Sequence, residues 1–144
     1  MLKNATELIL DTSVLIAYFT SENNLIVSLL DNYIFNEASS ISLYGHNILK
    51  SEIYYIICRF EGVNKAKEAL EKVENVMNTI SEVYLFEKAA QIKCNRAIAL
   101  SDCYSIALGL LQNCPVLFLE EKELSEDVID KINEEFLAKI YLIP

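Results

Sequence analysis

The most constraining feature of the sequence is the short apolar run Leu8–Leu10, which ends in a carboxylate and leads straight into a helical pattern. An uninterrupted apolar run of this kind is typical of a strand buried on both faces of a parallel sheet. Asp11 follows the run, and together with Thr12 and Ser13 it supplies the N-cap chemistry of a helix. Ligands of open α/β sheets bind outside the carboxyl ends of the strands. Asp11 is therefore either a helix cap or a functional carboxylate directed into that crevice.

Strand-like and helix-like segments alternate along the rest of the chain. The further predicted strands are Ser40–Tyr44, Ile80–Leu85, Pro115–Leu119 and Ile140–Ile143. The further predicted helices are Leu25–Asn36, Asn47–Phe60, Asn64–Met77, Phe86–Asn95, Asp102–Gln112 and Glu126–Phe136. Such alternation requires crossover connections, so we expect an α/β fold of three layers, α/β/α, around a mainly parallel sheet of about five strands. With 144 residues and no linker-like stretch, the chain is expected to form one domain over residues 1–144.

The composition favours a folded protein of the cytoplasm. Hydrophobic residues make up 53% of the chain, which argues against disorder. No apolar run is long enough to span a membrane, and the segment Leu2–Glu7 turns acidic where a signal peptide would become apolar. The cysteines form no CxxC pair and are expected to be buried, reduced thiols: Cys58, Cys94, Cys103 and Cys114. The single histidine, His46, is expected at the start of a helix.

The formal net charge of −9 limits how the chain could bind a nucleic acid, since 12 basic residues stand against 21 acidic ones. A phosphate-binding face would require these few Lys and Arg side chains to cluster. Part of the acidity is suited to a metal site, and a basic partner segment is another way of balancing the charge.

Glu52 is unusual because it falls on the apolar side of the predicted helix Asn47–Phe60. The apolar side chains on this arc are Ile48, Leu49, Ile53, Ile56, Ile57 and Phe60. A carboxylate in that position is costly unless it is paired. Two interpretations remain open: an internal ion pair with Arg59, two turns further on, or a metal-binding or catalytic role for Glu52.

Further acids lie where the same sheet edge is expected. Ser101 and Asp102 open a largely apolar helix, so Asp102 is either part of an N-cap or a carboxylate directed into the crevice. The strand Pro115–Leu119 ends in Glu120 and Glu121. Because the strands are expected to be parallel, these acids would lie on the same edge as Asp11.

A group formed by Asp11, Glu52, Asp102 and Glu120 or Glu121 would repel itself unless a cation neutralised it. Ligand sets made only of oxygen select hard ions, so Mg²⁺ or Mn²⁺ is expected. The chemistry that suits such a site is hydrolysis of a phosphodiester by a metal-activated water.

At this point the sequence resembles a PIN domain, and in size and motif order it is similar to the VapC-type toxins of toxin–antitoxin pairs. The segments that carry the resemblance are Leu8–Ser13, Ser51–Tyr55 on a helix, Leu100–Tyr104, and Pro115–Leu124. The resemblance implies a Mg²⁺- or Mn²⁺-dependent ribonuclease, commonly a homodimer, that is held inactive by a cognate antitoxin.

Carried over by position, the resemblance makes Asp11, Glu52 and Asp102 the catalytic, metal-binding acids. The hydroxyls it places close to the metal and its waters are those of Thr12, Ser13 and Ser101. The fourth acid departs from the family, which usually has Thr-x-Asp where this chain has Phe118-Leu119-Glu120-Glu121. Counting from the strand favours Glu120, whereas matching the motif's ending favours Glu121. The missing threonine and the longer acid put full activity, or a second metal, in doubt.

For a ribonuclease, contact with RNA would have to come from the few basic residues near the site. The candidates are Lys50, Arg59, Lys93 and Arg96. Each of them could equally be a solvated helix charge, and Arg59 could instead orient Glu52. The apolar surplus is consistent with self-association, and an antitoxin is expected to offer a basic or aromatic segment to the acidic groove.

Other functions remain open. A catalytically weak or inactive member of the same fold, acting as a binding or scaffold module, would fit the low basic count and the altered fourth motif. A haloacid-dehalogenase-like phosphatase would need a second Asp where Ser13 stands. A response-regulator receiver would use a Lys after a late strand, loosely matched by Lys122, but it would leave Glu52 and Asp102 unexplained.

Overall fold

A computed structural model describes residues 4–143 of the chain. The strands are β1 Glu7–Leu10, β2 Ser42–Gly45, β3 Met77–Thr79, β4 Val116–Leu119 and β5 Ile140–Ile143. The α-helices are α1 Thr12–Phe19, α2 Asn24–Tyr33, α3 Asn47–Glu61, α4 Val63–Glu74, α5 Phe86–Asn95, α6 Leu100–Gln112 and α7 Glu126–Phe136. The first two residues of the segment Leu2–Glu7, in which no signal peptide is expected, lie outside the described residues.

The five strands form one sheet in the order β3-β2-β1-β4-β5, and every neighbouring pair is parallel. Successive residues of the central strand β1 serve opposite faces, as the strand period requires. Leu8 and Leu10 belong to a core shared with α1 to α4, whereas Ile9 belongs to a core shared with α5 to α7. The predicted three-layer α/β/α fold with a parallel, five-stranded sheet is confirmed.

The third strand is the main error of the sequence prediction. The strand is Met77–Thr79, and the alternating segment 80–85 instead contains a 3₁₀ turn, Glu82–Tyr84. Ser81 caps this turn, because its side chain accepts a hydrogen bond from the backbone amide of Val83. The fourth helix accordingly ends at Glu74 and does not reach Met77. Strand β3 was missed because it is a short edge strand with two exposed polar residues, and such a strand leaves little hydrophobic pattern in the sequence.

Helix α6 packs very closely against the sheet at Gly109, and this approach yields the first prediction. A Cβ atom at Gly109 would lie 2.4 Å from Val116 Cγ2 on β4. We therefore expect Gly109→Ala to lower the free energy of unfolding by about 1–3 kcal/mol, measured by urea denaturation. The same substitution in a Val116→Ala background should cost less, because the clashing methyl group is absent. An unchanged stability in both backgrounds would contradict this packing.

Two sequence expectations about the chain's environment have different outcomes. Within residues 4–143 no single helix is long and apolar enough to cross a membrane. Helices α1 and α2 have the required length and apolarity only when taken together, and they are bent by 101° relative to each other. All four cysteines are free, but the expectation that all are buried is wrong: Cys103 and Cys114 are buried, Cys58 is half-buried and Cys94 is exposed. Cys94 lies in the last turn of α5, on the solvent side of a helix whose buried residues are Ala89 and Ile92.

Candidate functional site

Asp11 combines the two interpretations that the sequence left open. It directly follows β1, caps α1, and is only 4% exposed. Its Oδ2 accepts hydrogen bonds from the backbone amide of Ser13 at 3.1 Å and from Ser13 Oγ at 2.9 Å. Its Oδ1 is buried and has no hydrogen-bond partner among the residues that the structure describes. One carboxylate oxygen therefore makes the helix cap, and the other is left for a further ligand.

Hydroxyls of α1 hold the neighbouring elements in place. Thr12 Oγ1 donates to Glu52 Oε1 at 2.8 Å, which connects α1 to α3. Ser13 Oγ accepts the backbone amide of Leu119 at 3.2 Å, which connects α1 to the end of β4. The start of α1 is thereby linked to two of the segments in which acidic residues were predicted.

Glu52 is half-buried, in keeping with its predicted position on the apolar side of α3. The internal ion pair with Arg59 is not formed, because Arg59 is exposed and its guanidinium lies 5.1 Å from the ring centre of Tyr55. Phe60, expected on the buried arc, is 78% exposed because it lies in the last turn of α3. Glu52 is therefore held by the hydroxyl of Thr12, and no cationic side chain within residues 4–143 pairs with it.

Asp102 lies in the first turn of α6 as its third residue, because the helix begins two residues earlier than predicted. The helix begins at Leu100 with Ala99 in the cap position and no side-chain cap, so the interpretation of Ser101 and Asp102 as an N-cap is wrong. Helix N-termini favour carboxylates through their free amide groups and dipole. Asp102 is thus free to face the pocket that Ser101 also lines.

Burial and neighbouring charges raise the pKa values of two of these acids, Asp11 and Asp102. Burial raises the pKa of Asp11 above its ordinary value, the charge of Glu52 adds to this, and the hydrogen bonds from Ser13 oppose it. Burial is also the largest cause of the raised pKa of Asp102, followed by the charges of Asp11, Glu121 and Glu52. The fully ionised site is costly unless a proton or a cation neutralises it.

These acids line one pocket of about 380 Å³ at the carboxyl edge of the sheet. Glu121, which follows β4, lies on the pocket wall, whereas Glu120 does not. The backbone amide of Glu120 instead bonds the carbonyl of Ile143 at 3.0 Å, continuing the pairing of β4 with β5. Of the two alternatives for the fourth acid, Glu121 is the one near Asp11 and Asp102.

Two further acids on the pocket wall were missed by the sequence analysis, Glu22 and Glu123. Glu22 follows α1 after a turn and Glu123 lies in the loop before α7, so neither has a strand end or helix face to single it out. Among residues 4–143, no Lys, Arg or His lines the pocket. The pocket wall thus combines acidic and hydroxyl-bearing side chains with apolar ones.

The basic residues proposed for RNA contact lie away from this lining and have other partners. Lys50 Nζ lies 3.5 Å from Glu74 Oε1, and Arg96 pairs with Glu135. Lys93 Nζ donates to the carbonyl of Ile98 at 2.6 Å. Together with Arg59 over Tyr55, each candidate is therefore engaged within the chain.

The donor set is suited to a hard divalent cation. As arranged, no three His, Cys, Asp or Glu side chains among residues 4–143 are placed to hold one metal ion. Mg²⁺, however, keeps several waters and needs only one or two carboxylates as direct ligands. Such a position is provided by the buried Oδ1 of Asp11, which has no partner among residues 4–143. It lies in the same pocket as Asp102, whose pKa is raised by burial and by the neighbouring carboxylates. The residues present therefore fit Mg²⁺ or Mn²⁺.

The fold and this pocket define a class: an α/β protein with a five-stranded parallel sheet and an acid-lined pocket at its carboxyl edge. The PIN domain family model matches residues 8–127. The chain belongs to the PIN domain family. Among curated protein sequences, none matches it significantly.

Solved structures with the same fold include one described as a toxin–antitoxin complex. VapBC2 from Rickettsia felis, bound to a DNA fragment from its promoter, has a TM-score of 0.65 at 10% identity, covering 94% of this chain and 98% of the other. FitAcB from Neisseria gonorrhoeae has a TM-score of 0.60 at 17% identity, covering 93% and 96%. A toxin–antitoxin complex from Klebsiella pneumoniae has a TM-score of 0.60 at 16% identity, covering 82% and 90%. At these identities the likeness shows the fold.

Proposed function

We propose that this PIN domain is a Mg²⁺- or Mn²⁺-dependent endoribonuclease that hydrolyses phosphodiester bonds of RNA. The observation that carries the proposal is the unpartnered, buried Oδ1 of Asp11 in a pocket shared with Asp102, Glu52 and Glu121. Membership of the PIN family supports it independently. The purified protein should cleave RNA when Mn²⁺ or Mg²⁺ is present and stop when EDTA is added.

In this proposal Asp11 and Asp102 are the main metal ligands, and Glu52 and Glu121 complete the acidic set. A bound divalent ion supplies an activated water and stabilises negative charge on the phosphate oxygens. Burial, and after it the charges of neighbouring carboxylates, raises the pKa values of Asp11 and Asp102, and this cost of ionisation favours a cation at this position over an empty site.

The hydroxyls of Thr12, Ser13 and Ser101 have positioning roles in this account. Thr12 orients Glu52 through the 2.8 Å hydrogen bond, and Ser13 fixes Oδ2 of Asp11 so that Oδ1 faces away from the cap. Outer groups of this kind set ligand orientation in metal sites. Ser101 lines the pocket next to Asp102.

The choice of fourth acid yields a second prediction. We expect Glu121→Gln to lower the RNA cleavage rate about tenfold or more, because it removes one of the charges that face Asp102. Glu120→Gln, its matched control, should stay within about twofold, since Glu120 is off the pocket wall. The measurement is initial cleavage rate at saturating Mn²⁺. A loss confined to Glu120→Gln would reverse the assignment.

We further propose that the chain is the toxin of a type II toxin–antitoxin pair, acting in the cytoplasm where its RNA substrate is. The structural neighbours from such pairs support this. The acidic pocket and the net charge of −9 favour an antitoxin that offers a basic or aromatic segment. Expression in a bacterial host should arrest growth for the wild-type chain and spare it for Asp11→Asn.

A homodimer is part of the same proposal. Large apolar side chains are exposed side by side around the 3₁₀ turn, with Val83 and Tyr84 each 72% exposed and Phe86 56% exposed. Adjacent exposed apolar residues of this size favour a protein contact. The molar mass in solution, compared between wild type and Tyr84→Asp, tests this assignment.

A second candidate is a binding or scaffold module with weak or no catalysis. The specific observation that favours it is that no basic residue of the described part of the chain, 4–143, lines the pocket, since phosphate binding normally draws on Lys and Arg. The four candidate RNA contacts, Lys50, Arg59, Lys93 and Arg96, are each engaged elsewhere. A folded, metal-loaded protein that binds RNA without cutting it would establish this alternative.

A further inference from the structure

His46 is a buried polar residue that the proposed chemistry does not use. It follows β2, caps α3, and has no solvent-exposed surface. Its Nδ1 accepts the backbone amide of Leu49 at 3.1 Å. Its Nε2 lies 2.9 Å from Oγ of Ser105, a buried residue of α6. The expectation that His46 lies at a helix start is confirmed, and the ring also reaches a second helix.

The cap fixes the chemical state of the ring. Because Nδ1 accepts a hydrogen bond, the proton of the neutral imidazole is on Nε2, which donates to Ser105 Oγ. Burial lowers the pKa of His46 to about 4, with the charge of Glu82 acting in the opposite direction, so the ring is neutral at physiological pH. His46, the cap of α3, is therefore the donor of this hydrogen bond, and Ser105 of α6 is the acceptor.

The two helices that His46 joins are those that carry Glu52 and Asp102. Ser105 lies one helical turn after Asp102, so its position follows that of the carboxylate on the same rigid helix. Within residues 4–143, no other side-chain hydrogen bond joins α3 or its cap to α6. The bond is thus a direct side-chain link between the cap of one acid-bearing helix and the other acid-bearing helix.

We propose that His46 is a positioning residue for the acidic pocket, acting through Ser105 to set the placement of Glu52 relative to Asp102. This inference rests on the proposed metal site. His46 does not touch the metal, the substrate or the acids; it acts through the packing of α3 against α6.

The test is Mn²⁺ affinity, measured by calorimetry on folded variants. Ser105→Ala removes the acceptor, and His46→Asn keeps a favourable cap side chain but is too short to reach Ser105. Each should weaken Mn²⁺ binding about tenfold or more, the usual effect of losing an outer positioning group. The double variant should be no weaker than either single variant, because both remove the same bond. Ser105→Thr, which keeps the hydroxyl, should restore the affinity.

Ser125→Ala is the matched control, since it removes the hydroxyl that caps the remote helix α7. It should lower stability without changing Mn²⁺ affinity. Equal Mn²⁺ affinities for wild type, Ser105→Ala and His46→Asn would overturn the positioning role, as would additive losses in the double variant. If wild type binds Mn²⁺ but does not cut RNA, the proposed nuclease fails while the affinities still decide the role of His46. A wild type that binds no Mn²⁺ overturns both.

Discussion

Replacing Asp11 by Asn is expected to reduce metal-dependent RNA cleavage by at least about a hundredfold, since even outer groups of a metal site cost ten- to a hundredfold. The substitution keeps an oxygen that can accept the hydrogen bonds from Ser13, so the cap of α1 is retained. It removes the negative charge that the unpartnered Oδ1 carries at the centre of the acidic pocket. The measurement is the initial cleavage rate at saturating Mn²⁺.

The same variant should be as stable as wild type, or more stable, in EDTA at neutral pH. A carboxyl group whose pKa is raised in the folded state contributes stability at low pH and loses it as the pH rises through that folded-state pKa. Ionised Asp11 therefore lowers the stability of the metal-free protein at neutral pH, whereas the uncharged Asn side chain does not. Asp130→Asn, at an exposed position of α7, is the control for the loss of one charge. An active Asp11→Asn, or one that unfolds, would contradict the assigned role.

Metal affinity is expected to fall steeply as the pH is lowered. Protons and the cation compete for Asp11 and Asp102, because burial and mutual repulsion raise both of their pKa values. Metal binding therefore releases protons. For each proton released, the apparent Mn²⁺ affinity drops about tenfold per pH unit, over a window that extends upward from the ordinary carboxyl range of about 4.

Calorimetry in two buffers of different ionisation enthalpy measures the number of protons released. We expect a positive number at pH 6 that decreases as the pH rises, and a smaller number for Asp102→Asn. Glu120→Gln should behave as wild type, because Glu120 is not on the pocket wall. An affinity that is independent of pH would mean that Asp11 and Asp102 do not bind the metal.

Most of the fold could be predicted because its strands and helices carry strong hydrophobic patterns. Leu8–Leu10 has no polar residue on either face, as a central strand of a parallel sheet requires, and α7 was predicted with its exact bounds. Strand β3 could not be predicted in the same way. Its pairing with β2 is made by the backbone and by Asn78, whose Nδ2 donates to the carbonyl of Leu43, and neither leaves an apolar pattern in the sequence.

The candidate site could be predicted where a local pattern was broken. Glu52 stood out on an apolar helix face, and Asp11 stood out at the end of a buried strand. Glu22 and Glu123 lie in connecting segments, where acids are ordinary, and only the tertiary fold brings them to the pocket. The choice between Glu120 and Glu121 likewise depends on where the backbone of β4 stops pairing with β5.

The most direct test of the account is cleavage of a mixed set of structured and single-stranded RNAs by the purified, antitoxin-free protein. The RNAs are incubated with Mn²⁺, Mg²⁺ or EDTA, with Asp11→Asn run in parallel. The account predicts cutting with either metal, none in EDTA, and none with the variant. Cutting that persists in EDTA or in the variant, or a folded protein that binds Mn²⁺ and cuts no RNA, would contradict it.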